Sequence, residues 1–197
     1  KDCVGIELPV RVNWGGGWTD TPPYCNEHGG LVLNAAIRLN GELPVHVEVK
    51  KLDELVVRFE STDIGASGQA LSVEDIQNCA NPYDSFALHK AALIACGVIP
   101  RKGNADLTEV LRKLGGGIQL STWVVGVPKG SGLGTSSILS AACGKALFEF
   151  MGRKIDDASL YSLVLCMEQL MSTGGGWQDQ VGGLTSGIKL IRTKPGL

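Results

Sequence analysis

The ten residues from Pro128 to Ser137, which read PKGSGLGTSS, constrain this chain more than any other segment. They follow a strand-like run over 118–127 and lead directly into an apolar stretch that is predicted to be helical as far as Met151. Glycines let the backbone approach a ligand closely, and a helix after the loop would direct its free N–H groups and the positive end of its dipole into it. This order of elements predicts a phosphate-binding loop, and a turn that only caps a helix is the alternative.

The segment differs from two common phosphate-binding motifs. A Walker A loop has Lys and then Ser or Thr after its last glycine, but here Gly134 is followed by Thr135 and Ser136. A dinucleotide-binding G-x-G-x-x-G motif would need a glycine where Thr135 stands. Ser136 and Ser137 add hydroxyls that could contact a phosphate oxygen or Mg²⁺.

Two carboxylates lie near the end of the next predicted helix and just after it. That helix begins at Asp156 or Asp157, and Glu168 borders its apolar stripe. A carboxylate in such a position is costly unless it is paired or bound to a metal. Asp179 lies in the loop that follows three glycines at 174–176. Phosphoryl transfer uses such a pair, one to hold Mg²⁺ and one to accept the proton of the attacking hydroxyl; a salt-bridged Glu and a solvated Asp are the alternative.

A third group of candidates lies near the N-terminus. Arg11, in a strand-like run, could steady a catalytic carboxylate or a γ-phosphate. In the glycine-rich loop that follows, Asp20 could accept hydrogen bonds from sugar hydroxyls and Trp18 could stack on a sugar face. A tight turn with a surface tryptophan is the structural alternative.

Together these segments resemble motifs of the galactokinase, homoserine kinase, mevalonate kinase and phosphomevalonate kinase (GHMP) superfamily. The superfamily phosphate loop, P-x-x-x-G-L-G-[ST]-S, is similar to residues 128–136. The resemblance implies an ATP-binding kinase in which Asp179 is the catalytic base beside Arg11, and Glu168 and Ser136 hold Mg²⁺. The residues that it implies for ATP binding are Pro128, Lys129, Gly130, Ser131, Gly132, Leu133, Gly134, Thr135, Ser136 and Ser137.

The loop before Asp20 bears on the substrate. Galactokinases carry a Glu-His pair there, whereas this chain has Trp18 and Thr19, so galactose is not expected. The versions of the motifs at 16–23 and 174–180 resemble L-fucokinases, above all the kinase portion of bifunctional L-fucokinase/L-fucose-1-phosphate guanylyltransferases. The resemblance implies a transferase of carbohydrate metabolism that phosphorylates the anomeric hydroxyl of L-fucose. The residues implied for sugar binding are Asp20, Trp18, Gly17 and Gly176.

Two other functions remain open. A D-glycero-D-manno-heptose 7-phosphate kinase would need basic residues near Asp20 for the phosphate of its sugar, and residues 19–26 contain none. A non-catalytic lobe that binds nucleotide or sugar is the other alternative.

The order of predicted elements indicates a single α+β domain over 1–197. Strands are predicted over 4–13, 31–40, 43–51, 55–61, 118–127 and 187–193, and Pro9 in the first of them predicts a bend or an edge position. Helices are predicted from Asn81 to Gly97, over 105–114 with Asn104 as cap, from the phosphate loop to 151, and from Asp156 or Asp157 to 172. The resemblance implies the N-terminal lobe of these kinases, related to ribosomal protein S5 domain 2, with a mixed sheet and helices packed on one face. It also implies that a C-terminal kinase lobe is missing here, and that the parent chain possesses either this lobe alone or a guanylyltransferase domain as well. A homodimer through exposed apolar surface is a further expectation.

Composition excludes some classes of partner. The net charge of -2 argues against a nucleic-acid binder. No apolar run approaches the roughly 20 residues of a membrane span, and the N-terminus does not read as a signal peptide. The six cysteines show no CxxC spacing, which favours reduced thiols in the cytoplasm. Three of them, Cys96, Cys143 and Cys166, are predicted to be core residues.

Overall fold

The computed structural model describes residues 1–128 and 130–196, which form two sheets with helices packed against them. In chain order the elements are β1 (Cys3–Leu8), β2 (Val10–Gly15), α1 (Tyr24–His28), β3 (Gly30–Ile37), β4 (Val45–Leu52), β5 (Val57–Ser61), a 3-10 turn (Thr62–Ile64), β6 (Ala66–Ala70), α2 (Val73–Gln77), α3 (Ala87–Ala95), α4 (Leu107–Leu114), β7 (Gly117–Val124), α5 (Thr135–Phe150), α6 (Asp157–Leu170), α7 (Gln178–Leu184) and β8 (Ile188–Thr193).

The larger sheet has five strands in the order β1-β4-β7-β5-β6. β5 and β7 are parallel and the other pairs are antiparallel, so the sheet is mixed, as predicted. Alternate residues of β4, Val45, Val47 and Val49, are buried, which is the period-2 pattern of a strand with one face against a core. α5 packs against this core, and its buried alanines bring the helix close to the strands.

The smaller sheet has three antiparallel strands in the order β2-β3-β8. Only Pro9 separates β1 from β2, yet the two strands belong to different sheets. Proline has no N–H to donate, so it interrupts the ladder there and carries the chain from one sheet to the other. The predicted bend is therefore confirmed, and it places β2 and Arg11 beside α7, which packs on the same small sheet.

Several local predictions need correction. α3 begins at Ala87 and not near Asn81, because the Asn81 and Asp84 side chains accept backbone N–H bonds within turns instead. The cap of α4 is Asp106, whose side chain accepts from the N–H of Thr108, and not Asn104. The sequence interpretation missed α1, α2, β6 and α7.

The cysteines are free, as predicted, but Cys166 is exposed and not a core residue, whereas Cys96 and Cys143 are buried. Within 1–128 and 130–196, every helix is too short or too polar to cross a lipid bilayer.

Candidate active site

A cleft of about 410 Å³ opens where three segments meet: β2 with the loop after it, the phosphate loop before α5, and the glycine-rich segment before α7. Its wall includes the side chains of Arg11, Ser137, Glu168 and Asp179. Local sequence brings none of these segments together, since β2 lies more than a hundred residues before the phosphate loop, and about 40 residues separate that loop from the glycines before α7. The two sheets and α5 bring them to one place.

Arg11 is the buried link between all three segments. Its Nε and Nη2 donate to Asp179 Oδ1 at 2.8 and 2.5 Å, and its Nη1 donates to the carbonyl of Gly132 at 2.6 Å. Both bonds to Asp179 use Oδ1, which leaves Oδ2 uncommitted to Arg11. An arginine in this position fixes the orientation of the Asp179 carboxylate and supplies positive charge beside the phosphate loop.

Gly134 presses the phosphate loop against this ion pair. Its φ is +74°, in the left-handed region, and a Cβ there would lie 3.1 Å from both Arg11 Nε and Asp179 Cγ. A side chain would therefore strain the backbone and crowd the pair at once. Gly134 is also the residue before α5, and no side chain caps that helix. The free N–H groups of the first turn are thus available to an anion.

Glu168 forms the second charged group of the cleft. The Oγ of Ser137 donates to its Oε1 at 2.5 Å, whereas its Oε2 is buried and has no hydrogen-bond partner among residues 1–128 and 130–196. Burial raises the pKa of Glu168, and the nearby charge of Asp179 raises it further, while the bond from Ser137 lowers it. A Cβ on Gly175 would come within 1.9 Å of Oε2, so the backbone there needs glycine.

A divalent cation fits these donors. Mg²⁺ is commonly held in proteins by one or two carboxylates together with phosphate oxygens and water, and Glu168 offers a buried oxygen that lacks a partner. Among the described residues there is no cluster of three or more His, Cys, Asp or Glu that could enclose a metal by itself. Phosphate oxygens would therefore have to complete the coordination.

Known kinases are similar to this chain in sequence and in fold. Residues 104–187 match the family model described as GHMP kinases N terminal domain. This chain carries a GHMP kinase N-terminal domain. It is 41% identical over 191 residues to the L-fucokinase/L-fucose-1-P guanylyltransferase of Bacteroides fragilis, a match covering 95% of this chain and 20% of that protein.

It is also 41% identical over 195 residues to the bifunctional fucokinase/GDP-fucose pyrophosphorylase of Arabidopsis thaliana, covering 98% of this chain and 17% of the relative. The chain thus spans about a fifth of the length of these curated relatives. A D-glycero-D-manno-heptose 1-phosphate kinase from Bacteroides thetaiotaomicron has the same fold, with a TM-score of 0.71 at 21% identity, over 98% of this chain and 56% of that one.

The phosphate loop of this GHMP kinase domain has a regular backbone. Gly130, Gly132 and Gly134 have φ values of +75°, +72° and +74°. Alternation of left-handed glycines with other residues turns successive backbone N–H groups to one side, which suits an anion. Lys129, predicted to bind ATP, lies outside the described residues.

Ser137, and not Ser136, is the serine that contacts Glu168. Ser136 is exposed on the same helical turn, and it is not part of the cleft wall. The geometry thus favours Ser137 over the predicted Ser136 as the hydroxyl next to a bound cation.

Gly17, Trp18 and Gly176, which are predicted to bind the sugar, line the cleft. Trp18 is 72% exposed and has a φ of +74°, an uncommon conformation for a bulky residue. Such outliers concentrate at functional sites.

Asp20 does not fit its predicted contact with the sugar. It is 0% exposed and absent from the cleft wall, and its Oδ2 accepts from the backbone N–H groups of Trp177 and Gln178 at 2.6 and 2.7 Å. The sequence shows an acidic residue on a glycine-rich loop. It does not show that this loop packs against the N-terminus of α7, where the carboxylate binds backbone N–H groups.

Two further residues of the site had no predicted role. Asn13 Nδ2 donates to Gln178 Oε1, and Asn34 Nδ2 donates to the Gln178 carbonyl at 2.9 Å. Asp179, predicted in a loop, lies in the first turn of α7, one residue after Gln178. The spacing of Asn13 two residues after Arg11, on the same face of β2, was the one available signal for its place in the site.

Proposed function

We propose that this chain is the ATP-binding N-terminal lobe of an Mg²⁺-dependent sugar kinase, and that its acceptor is the anomeric hydroxyl of L-fucose. The observation that carries the proposal is the convergence of Arg11, Asp179 and Gly134, which puts a charged carboxylate against the phosphate loop. The identity to the two curated relatives named for fucokinase activity supports the choice of sugar.

The residues of this chain divide the chemistry among them. When bound, ATP supplies the phosphoryl group and Mg²⁺ offsets the charge on the phosphates. Asp179, held through Oδ1 by Arg11, would accept the proton of the sugar hydroxyl while the hydroxyl oxygen bonds to the γ-phosphorus and the bond from that phosphorus to the bridging oxygen breaks, which releases ADP. Arg11 orients this carboxylate and would offset negative charge that develops on the γ-phosphate.

The rest of the cleft binds and positions. The N–H groups of the phosphate loop and the start of α5 bind phosphate oxygens. Glu168, with the hydroxyl of Ser137 beside it, would hold the cation. Trp18 and the backbone at Gly17 and Gly176 line the space where the sugar would lie.

The open face of the small sheet supports a proposal about partners. Most of its exposed side chains are apolar, and Arg192 lies at one end of the same face: the apolar ones are Trp14, Leu31, Leu33, Ile188 and Leu190. An apolar patch of this kind on a soluble protein marks a surface for another protein element. We assign it to the C-terminal lobe of a longer kinase, in which a guanylyltransferase domain is a further proposed part; a homodimer through the same face is the competing occupant. Free cysteines at all six positions support a cytoplasmic location for that protein.

A coupled assay of ADP release tests the proposal. The full-length protein that contains this chain is supplied with Mg²⁺-ATP and separately with L-fucose, D-galactose and a heptose 7-phosphate. Turnover with L-fucose is expected, and Asp179→Asn should lower kcat by about 10²- to 10⁴-fold. Asp53→Asn, at an exposed turn, is the matched control and should turn over normally. Turnover with the heptose phosphate and with no other sugar would show that the acceptor is not L-fucose. Normal turnover by the Asp179→Asn protein would show that Asp179 is not the base.

A further inference from the structure

The helix that carries Asp179 is poorly suited to hold its own position. α7 has seven residues and contains Gly182 and Gly183, and neither short length nor glycine favours a helix. Its N-cap residue, Trp177, provides no side-chain cap. Groups from elsewhere in the chain must therefore stabilise both ends.

A carboxylate from another segment stabilises the N-terminus. Asp20 Oδ2 accepts from the N–H groups of Trp177 and Gln178 at 2.6 and 2.7 Å, so a loop 157 residues away does the work of a helix cap. Its negative charge also faces the positive end of the helix dipole. The fit is tight, because a Cβ on Gly176 would lie 2.5 Å from Oδ2.

An ammonium group stabilises the other end. Lys189 on β8 donates from Nζ to the carbonyl of Gly182 at 2.9 Å. A cation near the last carbonyls of a helix is favourable for the same reason that an anion is favourable at its start. Lys189 on β8 is paired with Asn34 on β3, and Asn34 itself donates to the carbonyl of Gln178. Side chains of β3 and β8 therefore both bind the backbone of α7.

We propose that Asp20 and Lys189 are positioning residues that clamp α7 at its two ends and so hold Asp179 against Arg11. This inference rests on the proposed role of Asp179. Asp20 is fully buried and lies outside the cleft. It accepts a hydrogen bond from the N–H of Gln178, and Asp179 is the next residue in the chain, so Asp20 fixes the backbone directly before Asp179. The competing role is a direct contact with the sugar through Oδ1, which is buried without a protein partner among the described residues.

The two roles give different results in Asp20→Ala. The first readout is amide hydrogen exchange of Trp177 and Gln178, measured in the chain of this sequence without substrate. The clamp predicts at least about tenfold faster exchange at these two amides, because they lose their acceptor. Unchanged exchange at both amides would overturn the clamp.

The second readout separates kcat from KM in the full-length kinase. A clamp predicts that Asp20→Ala lowers kcat by about 10- to 100-fold with KM for the sugar changed less than about twofold, since a shift of about 1 Å in a catalytic group has effects of that size. A KM raised tenfold or more with kcat retained would overturn the positioning role and make Asp20 a sugar ligand. Unchanged kcat and KM would also overturn it.

Two further variants guard against misfolding and against failure of the proposed kinase. Asp20→Asn keeps an accepting oxygen but loses the charge, and Lys189→Met keeps the stem but loses the donor; each should lower kcat less than Asp20→Ala, with KM for the sugar again nearly constant. Asp53→Asn serves as the control. If the wild-type protein phosphorylates no sugar, the proposed function fails, while the exchange measurement still decides whether Asp20 caps α7.

Discussion

Replacing Glu168 with Gln should make the apo protein more stable although it removes a residue of the proposed cation site. Glu168 is a buried carboxylate, and one of its oxygens, Oε2, has no partner in the described part of the chain. Gln keeps the volume and can still accept the hydrogen bond from Ser137. What it removes is the negative charge that burial and Asp179 both disfavour.

The sign of the effect depends on pH. Because burial raises the pKa of Glu168 above its value in the unfolded chain, the folded state binds more protons between the two pKa values. The free energy of unfolding therefore falls as pH rises through this interval. Above the pKa of Glu168 in the folded state, the whole of this stabilisation is lost. Gln also leaves a polar atom without a partner at the position of Oε2, so the gain comes only from the removed charge, for which one pKa unit corresponds to about 1.4 kcal/mol. We expect Glu168→Gln to recover about 1 kcal/mol at pH 8, which corresponds to about 2–4 °C in Tm for a domain of this size.

Urea unfolding at pH 8 and pH 5, with EDTA present, measures this gain. The stability of Glu168→Gln relative to wild type should be larger at pH 8 than at pH 5, whereas Glu42→Gln, at an exposed position, should follow wild type at both. Mg²⁺ with ATP should reverse the order, because a ligand at 100 times its Kd adds about 2.7 kcal/mol to the protein that binds it. A Gln variant that is less stable at pH 8, or equally stabilised at both pH values, would refute the reasoning.

Two more predictions follow from single contacts. Gly175→Ala would place a Cβ 1.9 Å from Glu168 Oε2, so we expect this variant to lose the thermal stabilisation that depends on Mg²⁺. Gly174→Ala is the control and should retain that stabilisation, because a Cβ there meets nothing within 4 Å. Thermal melts with and without Mg²⁺-ATP measure the difference. His89 is buried, and burial lowers its pKa to about 4, so the unfolded chain binds more protons below pH 6.5 and stability should fall by about 2 kcal/mol from pH 6.5 to pH 5. His89→Gln should flatten that fall in urea unfolding curves, and an unchanged slope would show that His89 does not cause it.

Much of the site was readable as local pattern. The phosphate loop was recognisable because an anion cradle needs glycines at specific backbone positions and a helix directly after them, all within about ten residues. Arg11 and Asp179 were chosen from separate motifs, and the structure brings them within 2.8 Å. The strands were placed closely because alternating burial leaves a period-2 pattern in the sequence.

The failures share a different physical origin. Asn81 was assigned as a helix cap on residue preference, but its side chain has a turn N–H within reach and α3 begins six residues later. α7 was missed because seven residues with two glycines have little helical propensity. Its stability comes from Asp20, which is 157 residues from Trp177 in sequence, and from Lys189 on the strand that follows the helix.

Sequence alone determined the glycine-rich loop before a helix, the α+β class and which residues carry the charges, since each depends on neighbours within one turn or strand. Only the tertiary structure decided which groups those charges contact. It placed Asp20 under a helix and not in the cleft, put Ser137 and not Ser136 against Glu168, and left Glu168 Oε2 without a partner among the described residues. The reason is that a buried polar group takes the nearest partner in space, and packing sets that distance while sequence separation does not.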